Sequence, residues 1–288
     1  MDEILTQNSI INGYRIAHGV HGPSTGPPVV LLHGTPSSSF IFRGILPVLT
    51  AAGFKAHVFD LLGYGLSERP WDMDVDTSIS GQVAILSGLL RAWELESERV
   101  HIISHDIGGG VAQRFGVFNP GRVRSMTLID VVSFDSYPSE RTRHQMASGP
   151  GAVITNKDEV HRDMFREWLV SAVKNELRFK ETALGPFLSY ISGPVGQASF
   201  FQHQARHYDS KHTMEIAGRV HELGQSPVQI IWGAEDSWQI VDWARRLHQT
   251  IAGSTLEIIP DCGHFSPEDQ PERISELLVS FMQQHERH

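Results

Sequence analysis

One cysteine among 288 residues, Cys262, leaves no partner for an internal disulfide. A chain so poor in cysteine is expected in a reducing compartment, with the cytoplasm as the expected location. Long hydrophobic runs are missing too. No stretch approaches the roughly 20 apolar residues of a membrane span. The opening Met1-Asp-Glu-Ile-Leu-Thr-Gln-Asn-Ser has neither the basic n-region nor the apolar run of a signal peptide. Positive charge is in deficit: 24 Lys and Arg against 33 Asp and Glu give a net charge of −9. That balance argues against a nucleic-acid partner or an anionic membrane surface. Sixteen histidines occur without a His-Glu-x-x-His motif or a Cys/His cluster at metal spacing, so neither a metal nor a cofactor is expected. Internal repeats and low-complexity tracts are absent as well.

What is present is an ordinary globular composition, 40% hydrophobic and 20% charged. The chain is long enough for one large domain, or for one domain with an insertion. Asn12-Gly13 between two alternating stretches predicts a hairpin over residues 8–20. The apolar run Pro28-Val-Val-Leu-Leu-Leu is broken by His33-Gly34-Thr35-Pro36, as for a strand buried on both faces of a parallel sheet. A helix over 38–52 ending at Gly53, a strand over 55–60 and a helix over 77–93 with Thr77 as N-cap follow. A strand over 99–105, a helix over 108–118 and a strand over 123–132 continue the alternation. Strands alternating with helices at this spacing predict a parallel sheet flanked by helices.

From residue 136 the texture changes. Residues 136–158 are rich in Ser, Arg, Pro, Gly and Asn, and 159–223 read as amphipathic helices broken at Gly185-Pro186 and Gly193-Pro194. Strand patterns resume at 227–233 and 255–260, and a helix over 271–284 closes the chain. The division predicted is an α/β core from 1–135 and 226–288, with a helical cap inserted at 136–225.

The chemistry centres on Ser104-His105-Asp106-Ile107-Gly108, which has the frame of the Gly-x-Ser-x-Gly nucleophile elbow with aspartate at the apex. Four further motifs accompany it in order: His33-Gly34-Thr35-Pro36, Asp60-Leu-Leu-Gly-Tyr-Gly-Leu-Ser67, Trp232-Gly-Ala-Glu-Asp236 and Cys262-Gly263-His264-Phe265. Together they resemble the α/β-hydrolase superfamily over nearly the whole chain. Within it, the aspartate resembles the nucleophile of haloalkane dehalogenases, haloacetate dehalogenases and epoxide hydrolases. The resemblance implies an α/β-hydrolase fold, a mostly parallel central sheet flanked by helices with a helical cap.

An apex carboxylate beside a helix N-terminus is placed as a nucleophile. Asp106 attacking an ester carbonyl would give an anhydride and gain little. Attack on an sp³ carbon, displacing halide or opening an epoxide, leaves a stable alkyl ester. His264 is then the base that activates water to cleave it, and Asp236 the acid that orients the imidazole. Asp130, at the end of the strand after the elbow, is the alternative acid. The N–H groups of Thr35 and Ile107 are the expected oxyanion donors, with His33 in the same loop.

The resemblance divides over the leaving group. The segment from His33 to Arg43 resembles haloalkane dehalogenases, which hold halide with an Asn in this loop and a Trp after the nucleophile. Here Thr35 and Ile107 stand in those places. Epoxide hydrolases use cap tyrosines as acids. Phe201 stands where one is often found, leaving Tyr190, Tyr208, His203 and His207 as donors. Trp168 either lines the pocket or packs in the core. The function expected is thus a cofactor-independent hydrolase that cleaves a carbon–halogen bond of a small neutral substrate through an Asp106 ester. Epoxide hydrolysis is the alternative; ester or lactone hydrolysis and a degenerate binding protein are further ones. A small molecule is the only partner expected, in a monomer or homodimer.

Overall fold

The computed structural model describes residues 4–138, Arg143 and 156–286. Most of the stretch 136–158, where the cap was expected to begin, therefore lies outside the described residues. Eight strands form one sheet in the order β1-β2-β4-β3-β5-β6-β7-β8. They are β1 (Gln7–Ile11), β2 (Tyr14–His21), β3 (Pro28–Leu32), β4 (Lys55–Phe59), β5 (Val100–His105), β6 (Val123–Ile129), β7 (Val228–Gly233) and β8 (Thr255–Ile259). Only β1 and β2 run antiparallel to their neighbours; from β4 to β8 every pairing is parallel.

The hairpin turns where the sequence places it. Ile11 pairs with Tyr14 across Asn12 and Gly13, and both turn residues have positive φ, 52° and 91°. That is the conformation Asn-Gly adopts at least cost. The central strands are buried throughout: Val29, Val30, Leu31 and Leu32 are wholly inaccessible, and every residue of β5 is buried. Each such aliphatic side chain contributes about 1.5–3 kcal/mol relative to exposure. Strands of this kind are stable only with helices on their faces.

The helices of the strand-bearing part are α1 (Leu46–Ala51), α2 (Ile79–Ala92) and α3 (Ile107–Phe118). The expected helix over 38–52 is split. A 3-10 turn at Ser39–Phe42 precedes α1, because Asp60 Oδ1 holds the Ser39 N–H (2.8 Å). The N-cap of α2 is Ser78, which accepts from Gly81 N–H, one residue past the predicted Thr77. Thr77 donates instead to the His203 carbonyl (2.7 Å).

Between β6 and β7 a non-helical stretch over 130–138 is followed, among the described residues, by α4 (Asp158–Val170), α5 (Glu176–Thr182), α6 (Leu184–Ile191), α7 (Gly193–Ser199), a π-helical turn at Phe200–Gln204 and α8 (Lys211–Met214). Gly193-Pro194 breaks the chain as expected, with Gly193 at φ 73°. Gly185-Pro186 does not; the break falls at Ala183, and Pro186 sits in the first turn of α6. The chain ends with α9 (Val241–Thr250), α10 (Ser266–Asp269) and α11 (Pro271–Glu286). Among the described residues no helix is long and apolar enough to cross a membrane.

Candidate active site

Asp106 stands between β5 and α3 with φ 51° and ψ −122°, a conformation that costs a non-glycine residue about 1–3 kcal/mol. Its neighbours make the turn possible. A Cβ on Gly108 would lie 2.4 Å from the Leu32 carbonyl oxygen, and one on Gly34 would lie 2.4 Å from Asp106 Cβ and Oδ1. The two glycines of the motifs let the β3 loop close on the elbow. Thr35 N–H then donates to Asp106 Oδ1 at 2.7 Å. Ile107 opens α3, whose first N–H groups have no intrahelical acceptor.

His264 is wholly buried and lies in the loop between β8 and α10. Its Nδ1–H donates to Asp236 Oδ2 at 2.9 Å, and its Nε2 faces Asp106 Oδ2 at 3.5 Å. At that distance Nε2 has no hydrogen-bond partner among the described residues. Asp236 is fixed in turn, with Oδ1 accepting the N–H groups of Trp238 (2.7 Å) and Gln239 (2.8 Å). Behind the imidazole, His105 Nε2 holds the His264 carbonyl at 2.9 Å.

The charges follow from this packing. Burial alone would lower the His264 pKa; Asp236 and Asp106 outweigh it and raise it to about 10. Burial would raise the Asp106 carboxyl, but His264 and the Thr35 N–H hold it below its ordinary range. Both shifts favour a carboxylate beside an imidazolium. Asp130, the alternative acid, is turned elsewhere. Its Oδ1 accepts Gly233 N–H (2.8 Å), and Oδ2 accepts the Ser266 hydroxyl. Burial first, and the charge of Asp236 second, push its pKa well up. The Nδ1 partner of His264 is Asp236 and not Asp130.

A small cavity borders Asp106, lined by Thr35, Tyr137, Trp168, Tyr208, Trp238 and Gln239. It has room for little more than one water, about 20 Å³ for the centre of a water-sized sphere. Trp168 stacks on Trp238 with ring centres 4.4 Å apart, and Trp238 lies over His264 at 5.0 Å. The loop carrying His264 is tied to the end of α4: Asp269 accepts N–H groups from Lys174, Asn175 and Gly263. The Tyr208 hydroxyl meets Thr35 Oγ1 at 2.5 Å, while that Oγ1–H donates to Gln204 Oε1 (3.0 Å).

Three expected substrate-binding residues are not brought to this cavity. His33 is a brace: its Nδ1–H donates to the Gly34 carbonyl, and Nε2 accepts Leu61 N–H, both at 2.9 Å. Both ring nitrogens are thereby spent between two loops. Tyr190 lines a surface groove with Phe40, Leu46 and Leu66. His207 is not among the residues lining the cavity, and burial lowers its pKa against the charge of Asp76. Tyr137 and Gln239 were missed by sequence reasoning. The signal that points to Gln239 is its place three residues after Asp236; Tyr137 carries no local signal.

The alpha/beta hydrolase family model matches residues 29–277, and the chain belongs to that family. It is an enzyme of the hydrolase class. A soluble epoxide hydrolase of Corynebacterium sp. is 26% identical over 97% of both chains. Haloalkane dehalogenase 2 of Mycobacterium tuberculosis is 26% identical over 88% of this chain and 87% of that protein. Among solved structures, an alpha/beta hydrolase fold protein from Burkholderia ambifaria superposes with a TM-score of 0.86 at 29% identity, covering 96% of this chain and 97% of that one.

Proposed function

We propose that the protein hydrolyses a small, neutral, strained oxygen ring, an oxirane, through a covalent ester on Asp106, with residues 136–225 acting as a cap over the core. The observation that carries this reading is the double role of Thr35. Its N–H holds the Asp106 carboxylate while its hydroxyl holds the Tyr208 phenol, so one residue sets the nucleophile and a proton donor on the same cavity. A halide leaves as a weak base and needs no proton. An alkoxide does, and a phenol is the group that supplies it.

The steps balance on these residues. Asp106 Oδ attacks a ring carbon and the carbon–oxygen bond breaks. The departing oxygen takes the proton of Tyr208, and the imidazolium proton of His264 restores the phenol. Asp236 and Asp106 together raise the His264 pKa; esterification removes the Asp106 share, and the proton passed to the phenol leaves a neutral imidazole that can act as a base. His264, oriented by Asp236, takes a proton from water as its oxygen adds to Asp106 Cγ. Collapse releases the diol, whose oxygen carries away the proton of the new carboxyl. The Thr35 and Ile107 N–H groups face the oxyanion formed on the way. Halide displacement is the second reading, favoured by the indoles of Trp168 and Trp238 on the cavity wall. Against it, Trp238 Nε1–H already reaches Ser171 Oγ at 3.4 Å.

The test is His264→Gln incubated with a panel of terminal oxiranes and bromoalkanes. Intact mass is expected to rise by the mass of the oxirane, mapped to Asp106. No adduct with any member overturns the covalent reading, and adducts with bromoalkanes alone overturn the oxirane in favour of halide.

A further inference from the structure

One buried group facing the cavity has no part in these steps. Gln239 is 3% exposed and shares the cavity wall with Asp106, Tyr137 and Tyr208. Its backbone is fully used: the N–H donates to Asp236 Oδ1 (2.8 Å), and the carbonyl accepts Trp232 Nε1–H (2.6 Å). Any residue would make those bonds, so they do not call for glutamine. The side-chain Nε2–H donates to the Ser136 carbonyl at 3.3 Å. The side-chain Oε1 is buried and has no hydrogen-bond partner among the described residues. Turning the amide over brings no relief, since Oε1 would then face the Ser136 carbonyl, acceptor against acceptor.

A buried acceptor left unpaired is costly, and a ligand that brings a donor removes the cost. We propose that Gln239 selects the substrate: the site takes an oxirane bearing a hydroxyl or N–H group on the carbon next to the ring, with that donor on Gln239 Oε1 and the ring oxygen toward Tyr208. The proposal rests on the ring-opening reading of Asp106. The other groups on the wall agree with it. Asp106 is already engaged, by Thr35 N–H at Oδ1 and by the His264 imidazolium facing Oδ2. The Thr35 hydroxyl is bonded to Tyr208 and Gln204. Trp168 and Trp238, stacked on each other, give the wall an apolar indole surface for the carbon skeleton. Gln239 Oε1 is the buried side-chain acceptor on this wall that has no partner among the described residues.

The experiment uses the full chain and ligand pairs that differ by one hydroxyl. The reactive pair is 1,2-epoxyhexane and 1,2-epoxyhexan-3-ol; the unreactive pair is hexane-1,2-diol and hexane-1,2,3-triol. In His264→Gln, adduct formation is expected to be about 10- to 100-fold faster with the hydroxylated oxirane. Calorimetry on the wild-type protein is expected to show the triol binding tighter than the diol by a similar factor. Adding Gln239→Met is expected to bring both ratios to about one, with near-UV circular dichroism verifying the fold. A wild-type ratio near one, or a ratio unchanged by Gln239→Met, overturns the proposal. If neither oxirane alkylates Asp106, the ring-opening reading falls while the triol-to-diol ratio still decides on Gln239.

Discussion

On the sheet side of the cavity, each polar group is held within a few residues of a strand end. Asp106 follows β5, Asp236 follows β7, His264 follows β8, and Thr35 follows β3. On the opposite side, Tyr137, Trp168 and Tyr208 come from segments that meet only by tertiary packing, as in the ring contact of Tyr137 with Tyr208 at 5.3 Å. The first wall is rigid because parallel pairing and complete burial fix where its loops begin. The second is held by a few side-chain and cap contacts, Thr35 to Tyr208 and Asp269 to Lys174 and Asn175 among them. On the proposed reading the sheet side would supply the nucleophile, base and acid, and the other side the Tyr208 phenol and the indole of Trp168.

If the sheet side carries the chemistry, its substitutions are the most damaging. Asp106→Asn keeps the shape and removes the nucleophile, and turnover is expected to fall by about 10⁵-fold or more with no adduct detectable by mass. Asp236→Asn is expected to cost about 10⁴-fold, since His264 loses both its orientation and the charge that stabilises the imidazolium. Asp130→Asn is the control within the same wall. Its carboxyl is pushed toward the neutral form, and an amide can serve both Gly233 N–H and Ser266 Oγ. Activity is expected to stay within about tenfold of wild type. Equal losses in the two variants would erase the distinction between these carboxylates.

The same contrast explains what was legible in the chain. Short motifs carry the sheet side because a strand end and a tight turn depend on adjacent residues. His33-Gly34-Thr35-Pro36 and the elbow at Asp106 were readable for that reason. Asp236 is the preferred acid on its Trp-Gly-x-x-Asp context, but Asp130 stays open in the sequence as the alternative, since both follow neighbouring strands of the sheet. What separates them is side-chain direction: Asp130 has φ 47° and bonds to Gly233 and Ser266. On the other side, periodicity failed at the π-helical turn Phe200–Gln204. An extra residue in a helical turn rotates all that follows by about 100°. Gln204 and Tyr208 face Thr35, while His207, one position earlier, is not among the residues lining the cavity. No window of sequence shows that phase shift.

A smaller effect tests the second wall. Tyr208→Phe keeps the ring packing on Tyr137 and removes the proton donor. Oxirane opening is expected to slow by about 10²-fold, whereas alkylation of Asp106 by a bromoalkane should change by less than about threefold, because halide needs no proton. Equal losses on both substrates would make Tyr208 a packing residue. Single-turnover mass kinetics on each substrate in the His264→Gln background distinguish the outcomes.

The mildest expectation concerns pH, and it too sets buried histidines of the two kinds apart. His105 is pushed down to about 3 by burial, and His57 and His101 to about 4 by burial. These groups stay neutral in the fold, while in the unfolded chain they take up protons near pH 6.5. The unfolded state then binds more protons, so stability is full above pH 6.5 and declines as pH falls toward 4. The slope is at most about 1.4 kcal/mol per pH unit for each histidine. His264 has the opposite sign. Its folded pKa of about 10 lies above the unfolded value, so its contribution is full below pH 6.5 and is lost as pH rises through 10. Urea unfolding at pH 5, 6, 7 and 9 should therefore place the maximum near neutrality. Replacing His57, whose ring nitrogens are both buried without a partner among the described residues, by Phe should flatten the acid limb alone. An unchanged acid limb would mean that His57 is already solvated in the fold.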